Sequence, residues 1–288
     1  MANEYIIITD SGSDITPSVA AEWGVREVPL SYAMDDGEPR PGDQVDLKEF
    51  YAALRNKAKA TTSAANLEDF TKYFTEAANE GLDVLYLGFS SGLSSTSSTG
   101  RLACSEISEE YPDRKFYAVD TLCASLGQAM IVYIANQMKN EGKTIEEVRD
   151  WVEENKLNLC HHFTVDDLFF LKRGGRVSAA TAVVGSMLAI KPLLHVDDEG
   201  HLISIGKARG RKGAIDGLVK AMEETVVSPE TQTMFICHGD CEDEANALAE
   251  TLKAKFNPVD VKVGCIGPVI GAHSGPGTIA VFFLGTKR

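Results

Sequence analysis

Long apolar runs are missing from this chain of 288 residues, and so is any excess of positive charge. Its most apolar stretch, "AATAVVGSMLAIKPLL", is broken at Gly185 and Lys191 before it reaches the roughly 20 residues that a spanning helix needs, so no integral membrane segment is expected. The start, "MANEYIIITDSG", has neither a basic leader nor an extended apolar segment behind it, which argues against a secretory signal and for a cytoplasmic location. Cysteine is scarce and scattered: Cys104, Cys123, Cys160, Cys237, Cys241 and Cys265 read as reduced thiols and not as a disulfide framework. "CHGDC" has C-x3-C spacing, and "CHH" at Cys160 to His162 sends successive side chains to opposite faces of a strand, so neither makes a metal site. A net charge of −14 repels phosphate backbones and excludes nucleic acid as an expected partner. There is no Walker motif, no G-x-G-x-x-G following a strand, no internal repeat and no low-complexity tract. No cofactor and no metal are expected.

What the chain does contain is an alternation of strand-like and helical patterns. "YIIIT" (5–9), "VREVPL" (25–30), "DVLYLGF" (83–89) and "KFYAVD" (115–120) are rich in β-branched and aromatic residues and predict strands. Asn66 predicts the N-cap of a helix over "LEDFTKYFTEAANEG", with Leu67, Phe70, Phe74 and Ala77 on one face and Gly81 at its end. Thr144 and Glu147 have capping-box spacing ahead of "VRDWVEENK". Strands separated by helices imply crossovers and a parallel sheet. After about Lys156 come the strand "NLCHHFTV", a small-residue helix "SAATAVVGSMLAI" and a hairpin of "PLLHV" and "HLISI" through "DDEG". "TMFICHG", the helix "EDEANALAETLKAKF", "DVKVGCIG" and "TIAVFFLG" follow and suggest a mixed sheet. The expected fold class is α/β in two domains, a parallel-sheet domain over 1–157 and an α+β mixed-sheet domain over 158–288.

Ligands of open parallel sheets gather beyond the carboxyl ends of the strands, which draws attention to four segments. "TDSGSD" has Asp10 and Asp14 four apart, but Gly12 stands where an aspartate-nucleophile phosphatase needs its second carboxylate; a turn whose side chains satisfy backbone amides is the simpler reading. "ATTSAAN" reads as a loop entering a helix, where Thr61, Thr62 and Ser63 either cap it or donate to an anion. Gly88 to Gly92 spell G-x-S-x-G, and Asp240 and His273 follow in the chain order of a serine hydrolase, which makes an acyl esterase acting through Ser91 the alternative function. Against it, "GLSSTSST" separates Ser91 from the next helix and no HGG-type oxyanion loop lies upstream, so donation from hydroxyls and amides to an anion is preferred. His273 falls in the glycine-rich turn "GPVIGAHSGPG" and can help hold a carboxylate without acting as a base. Lys207, Arg209, Arg211 and Lys212 in "GKARGRKGA" are a local basic cluster on an acidic chain, either a solvated strand end and helix start or a docking surface.

Taken together, "TDSGSD", "TTSAA", "GFSSGLSSTSSTGRLA", "VDDLFFLKRGGRVSAATAVVGSMLAIKPLLHVDDEG", "GKARGRKGAI" and "GPVIGAHSGPGTIAVFF" resemble, in order and over nearly the whole chain, the DegV family of bacterial fatty-acid-binding proteins, which includes the FakB subunits of fatty acid kinase. The resemblance implies a Rossmann-like amino-terminal domain, a second α+β domain and a long-chain fatty acid buried between them, with no catalysis by this chain. The family's carboxylate-holding positions fall on Thr62, Ser94 and His273, and Arg176 matches an arginine near the head group. The resemblance assigns "AATAVVGSMLAI" to the acyl tunnel, although core packing explains those residues equally well. It places Arg209, with Lys207 and Arg211 beside it, on the surface that docks the kinase subunit that phosphorylates the bound acid. Two departures stand out: "AANLEDF" follows "TTS" where the family often has Gln-Pro, and Ser95 stands where it often has glycine.

Overall fold

Buried on both faces, the run YIIITD forms β1 (Tyr5–Asp10) in the middle of a parallel sheet. The computed structural model describes residues 4–42, 45–177 and 190–288. From β1 the chain passes through α1 (Pro17–Trp23) to β2 (Arg26–Val28), then through β3 (Ser31–Met34), β4 (Arg40–Pro41), α2 (Leu47–Arg55) and β5 (Ala60–Ser63). It continues as α3 (Leu67–Asn79), β6 (Asp83–Gly88), α4 (Thr96–Glu110), β7 (Phe116–Asp120), α5 (Leu126–Asn140) and α6 (Ile145–Asn155). Strands β2-β1-β6-β7 form the expected parallel sheet in that order. Both expected caps are present: Asn66 with Asp69, and Thr144 with Glu147, form capping boxes that satisfy the free amides of α3 and α6.

The second half comprises β8 (Leu159–Thr164), α7 (Phe169–Arg173), β9 (Ile190–Val196), β10 (Leu202–Arg209), α8 (Gly210–Thr225), β11 (Thr233–His238), α9 (Glu242–Phe256), β12 (Asp260–Cys265), α10 (Pro268–Ser274) and β13 (Ile279–Leu284). Its six strands form one mixed sheet in the order β10-β9-β8-β13-β11-β12. The hairpin expected through "DDEG" is β9 and β10, paired antiparallel with a register shift between Ser204 and Gly206. Helix α5 is wedged between the two sheets and touches β1 and β6 on one side and β8, β11 and β13 on the other. A helix in that position must be apolar nearly all round, and Ala129, Met130, Ile131, Val132 and Ala135 are all buried. One apolar cluster therefore runs from Ile7 and Leu87 through α5 to Phe235 and Phe282 and binds the two sheets into a single body.

Two expectations change. The small three-stranded antiparallel sheet β4-β3-β5 was not anticipated, and it turns the "TTS" segment from a loop into an edge strand, with Tyr32 opposite Thr62. The β-branched pair Thr61 and Thr62 suits an extended backbone, but four residues carry too little periodicity to announce a strand. The glycine-rich turn around His273 is a helix as far as Ser274, with Pro268 at its first position and Gly275 at φ 79° after its end. The segment 178–189, expected as a small-residue helix lining the tunnel, lies outside the described residues. No helix among the described residues is long and apolar enough to cross a membrane.

Candidate ligand site

A cavity of about 270 Å³ opens between the two sheets, and Thr62, Ser94, Arg176 and His273 all line it. They come from four separate places: the edge strand β5, the loop between β6 and α4, the segment after α7, and the last turn of α10. Thr62 Oγ1 lies 2.8 Å from His273 Nε2, so two residues 211 positions apart share a hydrogen bond in the wall of the cavity. Ser94 Oγ accepts the Thr96 N–H at 3.2 Å and lies 2.8 Å from Thr96 Oγ1. When the Thr96 hydroxyl donates, the Ser94 proton is left to point at a ligand. Arg176 Nε donates to the Leu93 carbonyl at 3.1 Å, which ties the guanidinium to the loop that presents Ser94. Ser95 adopts an ordinary right-handed conformation (φ −73°) as the residue before α4, so a side chain here in place of glycine causes no strain.

The rest of the wall is apolar, including Phe89, Leu93, Phe163, Leu171, Ile270 and Phe282. His161 also faces this cavity while His162 points to the other side of β8, as the strand period requires. His161 accepts the Ala124 N–H at Nε2 (3.4 Å) and donates from Nδ1 to the Leu159 carbonyl (3.2 Å); burial holds its pKa far below the usual imidazole range. It is a neutral wall residue. His273 is neutral too: burial, with Arg176 and Arg173 adding to it, pushes its pKa down to about 4.

This geometry does not build a hydrolase. His273 pairs with Thr62 and not with Ser91, and Asp240 is engaged by Arg55. Ser91 is exposed, and its backbone N–H donates to Asp120 at 3.2 Å. A base in a triad is oriented by a carboxylate on its other nitrogen, but the backbone of Gly174 occupies that side of the imidazole. A Cβ added there would lie 2.1 Å from His273 Nδ1. The cluster offers donors around a cavity and no activated nucleophile.

Among the remaining motifs, Asp10 is a buried structural acceptor. It takes the Gly12 and Phe89 N–H groups at 3.0 and 2.9 Å and the Tyr86 hydroxyl at 2.6 Å, so it locks the ends of β1 and β6 together. All six cysteines are free, and no metal-binding cluster occurs among the described residues.

A family model, "Uncharacterised protein, DegV family", matches residues 5–286. The chain belongs to the DegV family. A DegV domain-containing protein of Clostridium perfringens is 44% identical over 287 residues, 99% of either chain. Another, from Streptococcus pyogenes, is 36% identical over 283 residues, 98% of either chain. Among solved structures, a DegV family protein from Thermus thermophilus described for its fatty acid binding has a TM-score of 0.87 at 32% identity, covering 98% of this chain and 99% of that one. A DegV lipid-binding protein from Thermotoga maritima has a TM-score of 0.85 at 32% identity, covering 99% of both. The two-sheet α/β architecture is the DegV fold.

Within this DegV chain the basic cluster divides. Lys207 and Arg209 are exposed at the end of β10. Arg211 is not free surface charge: it donates to Glu244 of α9 at 2.8 Å and lies 3.6 Å from Asp166, so its guanidinium serves the packing of α8. Lys212 pairs with Asp216 one turn further on. Sequence reasoning missed Ser125, Ser274 and Thr278 in the cavity wall. Ser125 could have been found, since it stands just after the carboxyl end of β7, where ligands of parallel sheets collect.

Proposed function

We propose that the cavity holds one long-chain fatty acid, its carboxylate taking hydrogen bonds from Thr62, Ser94 and His273 with Arg176 beside it and its tail lying along the apolar wall. The observation that carries this reading is the convergence of those four side chains, from four distant segments, on one cavity whose other lining is mainly apolar. A buried carboxylate is costly unless hydrogen-bonded, and hydroxyls with an imidazole supply donors without forming a reactive triad. Each buried methylene contributes roughly 0.8 kcal/mol, so the tail dominates affinity and the polar cluster fixes orientation. Relatives about a third identical along their whole length are described as fatty-acid-binding, which supports the same ligand class here.

In this reading the protein is a cytoplasmic carrier of two domains, 1–157 and 158–288. It presents the carboxylate to a partner kinase for acyl phosphate formation and takes no catalytic part itself. The exposed Lys207 and Arg209, on a chain of net charge −14, suit an acidic docking partner. Mass spectrometry of the purified protein, native and then denatured, tests the ligand: a stoichiometric, non-covalent acyl acid that leaves on denaturation is expected, and protein that stays empty after lipid-replete expression would count against the carrier. Arg209→Ala should impair phosphorylation of the bound acid by the kinase while acid binding persists; loss of acid binding instead would show that Arg209 belongs to the cavity.

A further inference from the structure

Asp14 takes no part in the head-group cluster, yet it joins the elements that build the cavity. It follows β1 with a left-handed backbone, φ 56°. One carboxyl oxygen accepts the Gly267 N–H at 2.9 Å and the other accepts the Ser125 hydroxyl. Gly267 caps the amino end of α10, the helix whose last turn carries His273, and Ser125 lines the cavity at the start of α5. Ser125 is itself held at φ 53° and ψ −142°, costly for a residue with a Cβ, while its N–H donates to the Gly12 carbonyl at 2.7 Å. A Cβ on Gly267 would come within 2.7 Å of Asp14 Oδ1, so the contact depends on glycine. On its far side Asp14 lines a second cavity of about 190 Å³ with Ser11, Thr16 and Glu27, which gives the carboxyl access to protons.

We propose that Asp14 is a positioning residue for the ligand site and that its ionisation state sets how tightly the cavity holds a carboxylate. The proposal rests on the carrier reading above. The seven residues of α10 separate its ends by about 9 Å, so a negative charge at Asp14 opposes an anion held at His273 through the protein interior. Protonated, Asp14 donates to Ser125 Oγ, and the serine proton is released toward the cavity or the neighbouring Cys237 thiol. Burial pushes the Asp14 carboxyl up to about 7, against the pull of its two hydrogen bonds. The titratable groups facing it are Tyr51 from α2, Cys237 from β11 and Cys265 from β12, with Glu27 of β2 across the second cavity. Burial pushes the phenol and both thiols upward and keeps them neutral near pH 7, and Glu27 accepts the Ser13 hydroxyl at 2.7 Å. His273, which a bound anion also favours in its protonated form, starts from about 4 and responds at more acid pH. Carboxylate binding and proton uptake by Asp14 therefore favour each other.

The experiment compares the affinity of a dansyl-labelled undecanoic acid for the wild type and Asp14→Asn between about pH 6 and 8.5; the amide keeps both contacts without the charge. Wild-type affinity should fall roughly three- to tenfold as pH rises across that range, while the variant holds the wild-type pH 6 affinity throughout. A flat wild-type profile, or one that Asp14→Asn reproduces, overturns the proposal and leaves the carrier reading standing. Absence of binding by both proteins at every pH overturns the carrier reading and the proposal with it. Should the variant fail to fold, calorimetry of wild-type binding at about pH 7.5 in two buffers of different ionisation enthalpy reads the linked proton directly: about half a proton taken up supports the proposal, and none overturns it.

Discussion

Thr62 Oγ1 and His273 Nε2 meet at 2.8 Å across 211 residues of sequence, and their meeting joins an edge strand of the small antiparallel sheet to the last turn of α10. The imidazole, held neutral by burial and by the nearby Arg176 and Arg173, can donate to a ligand or to the threonine. Thr62→Val and His273→Ala should each weaken fatty acid binding by about ten- to a hundredfold, the value of a hydrogen bond to a charged group, with little loss of folding stability. Isothermal titration on both variants checks this, and unchanged affinity in both would remove these residues from the head-group site.

Gly174 presses its backbone against the far side of that imidazole. Its φ of −74° is open to any residue, so Gly174→Ala tests contact alone and not backbone strain. The added methyl must displace the ring, so binding should weaken by about tenfold or more and folding stability should fall by about 1–3 kcal/mol. A variant with wild-type affinity would show that the ring can move without consequence.

The pH dependence of stability has two contributions of opposite sign, both acting between about pH 4 and 7. Folding raises the Asp14 pKa from 3.8 to about 7, so the folded state binds the extra proton and that contribution to stability is lost as pH rises from about 4 to 7. Folding lowers His162 and His273 from 6.5 to about 4, so stability is lost as pH falls below 6.5. His162 is the sharper case, stacked on Phe283 and His195 with neither ring nitrogen hydrogen-bonded among the described residues. Urea midpoints at about pH 5, 6.5 and 8 should be lowest at pH 5 and nearly level between 6.5 and 8, with Asp14→Asn steepening the fall toward acid and His162→Phe reducing it. An unaltered pH profile in both variants would assign the dependence to other groups.

Arg288 spans the junction of the two sheets. Its guanidinium donates to the carbonyls of Leu122 and Asp197 at 2.8 and 2.9 Å and to that of Lys156 at 2.8 Å. Arg288→Ala should cost about 2–4 kcal/mol, because buried carbonyls lose a charged donor. Arg288→Lys should recover less than half of that, since an ammonium cannot reproduce the planar fork. Denaturant unfolding of both variants measures it; a loss below about 0.5 kcal/mol for alanine would mean that water replaces the guanidinium at no cost.

Much of this protein could be read from local pattern. The four strands of the parallel sheet, both helix caps at Asn66 and Thr144, the hairpin through "DDEG" and the opposite facing of His161 and His162 follow from side-chain period and from the chemistry of single caps, which act within a few residues. The family resemblance named Thr62, Ser94, Arg176 and His273, and all four do line one cavity. Tertiary structure alone decided that "TTS" is an edge strand, because its partner Tyr32 lies some thirty residues away and pairing is not a property of either segment. Only the fold could show that Arg211 is taken by Glu244, and that Asp14 of "TDSGSD" reaches the helix carrying His273 while Asp10 stays within its own sheet. Those are contacts between segments remote in sequence, where hydrogen-bond partners and desolvation depend on what the packed chain brings together. No spacing along the chain records them.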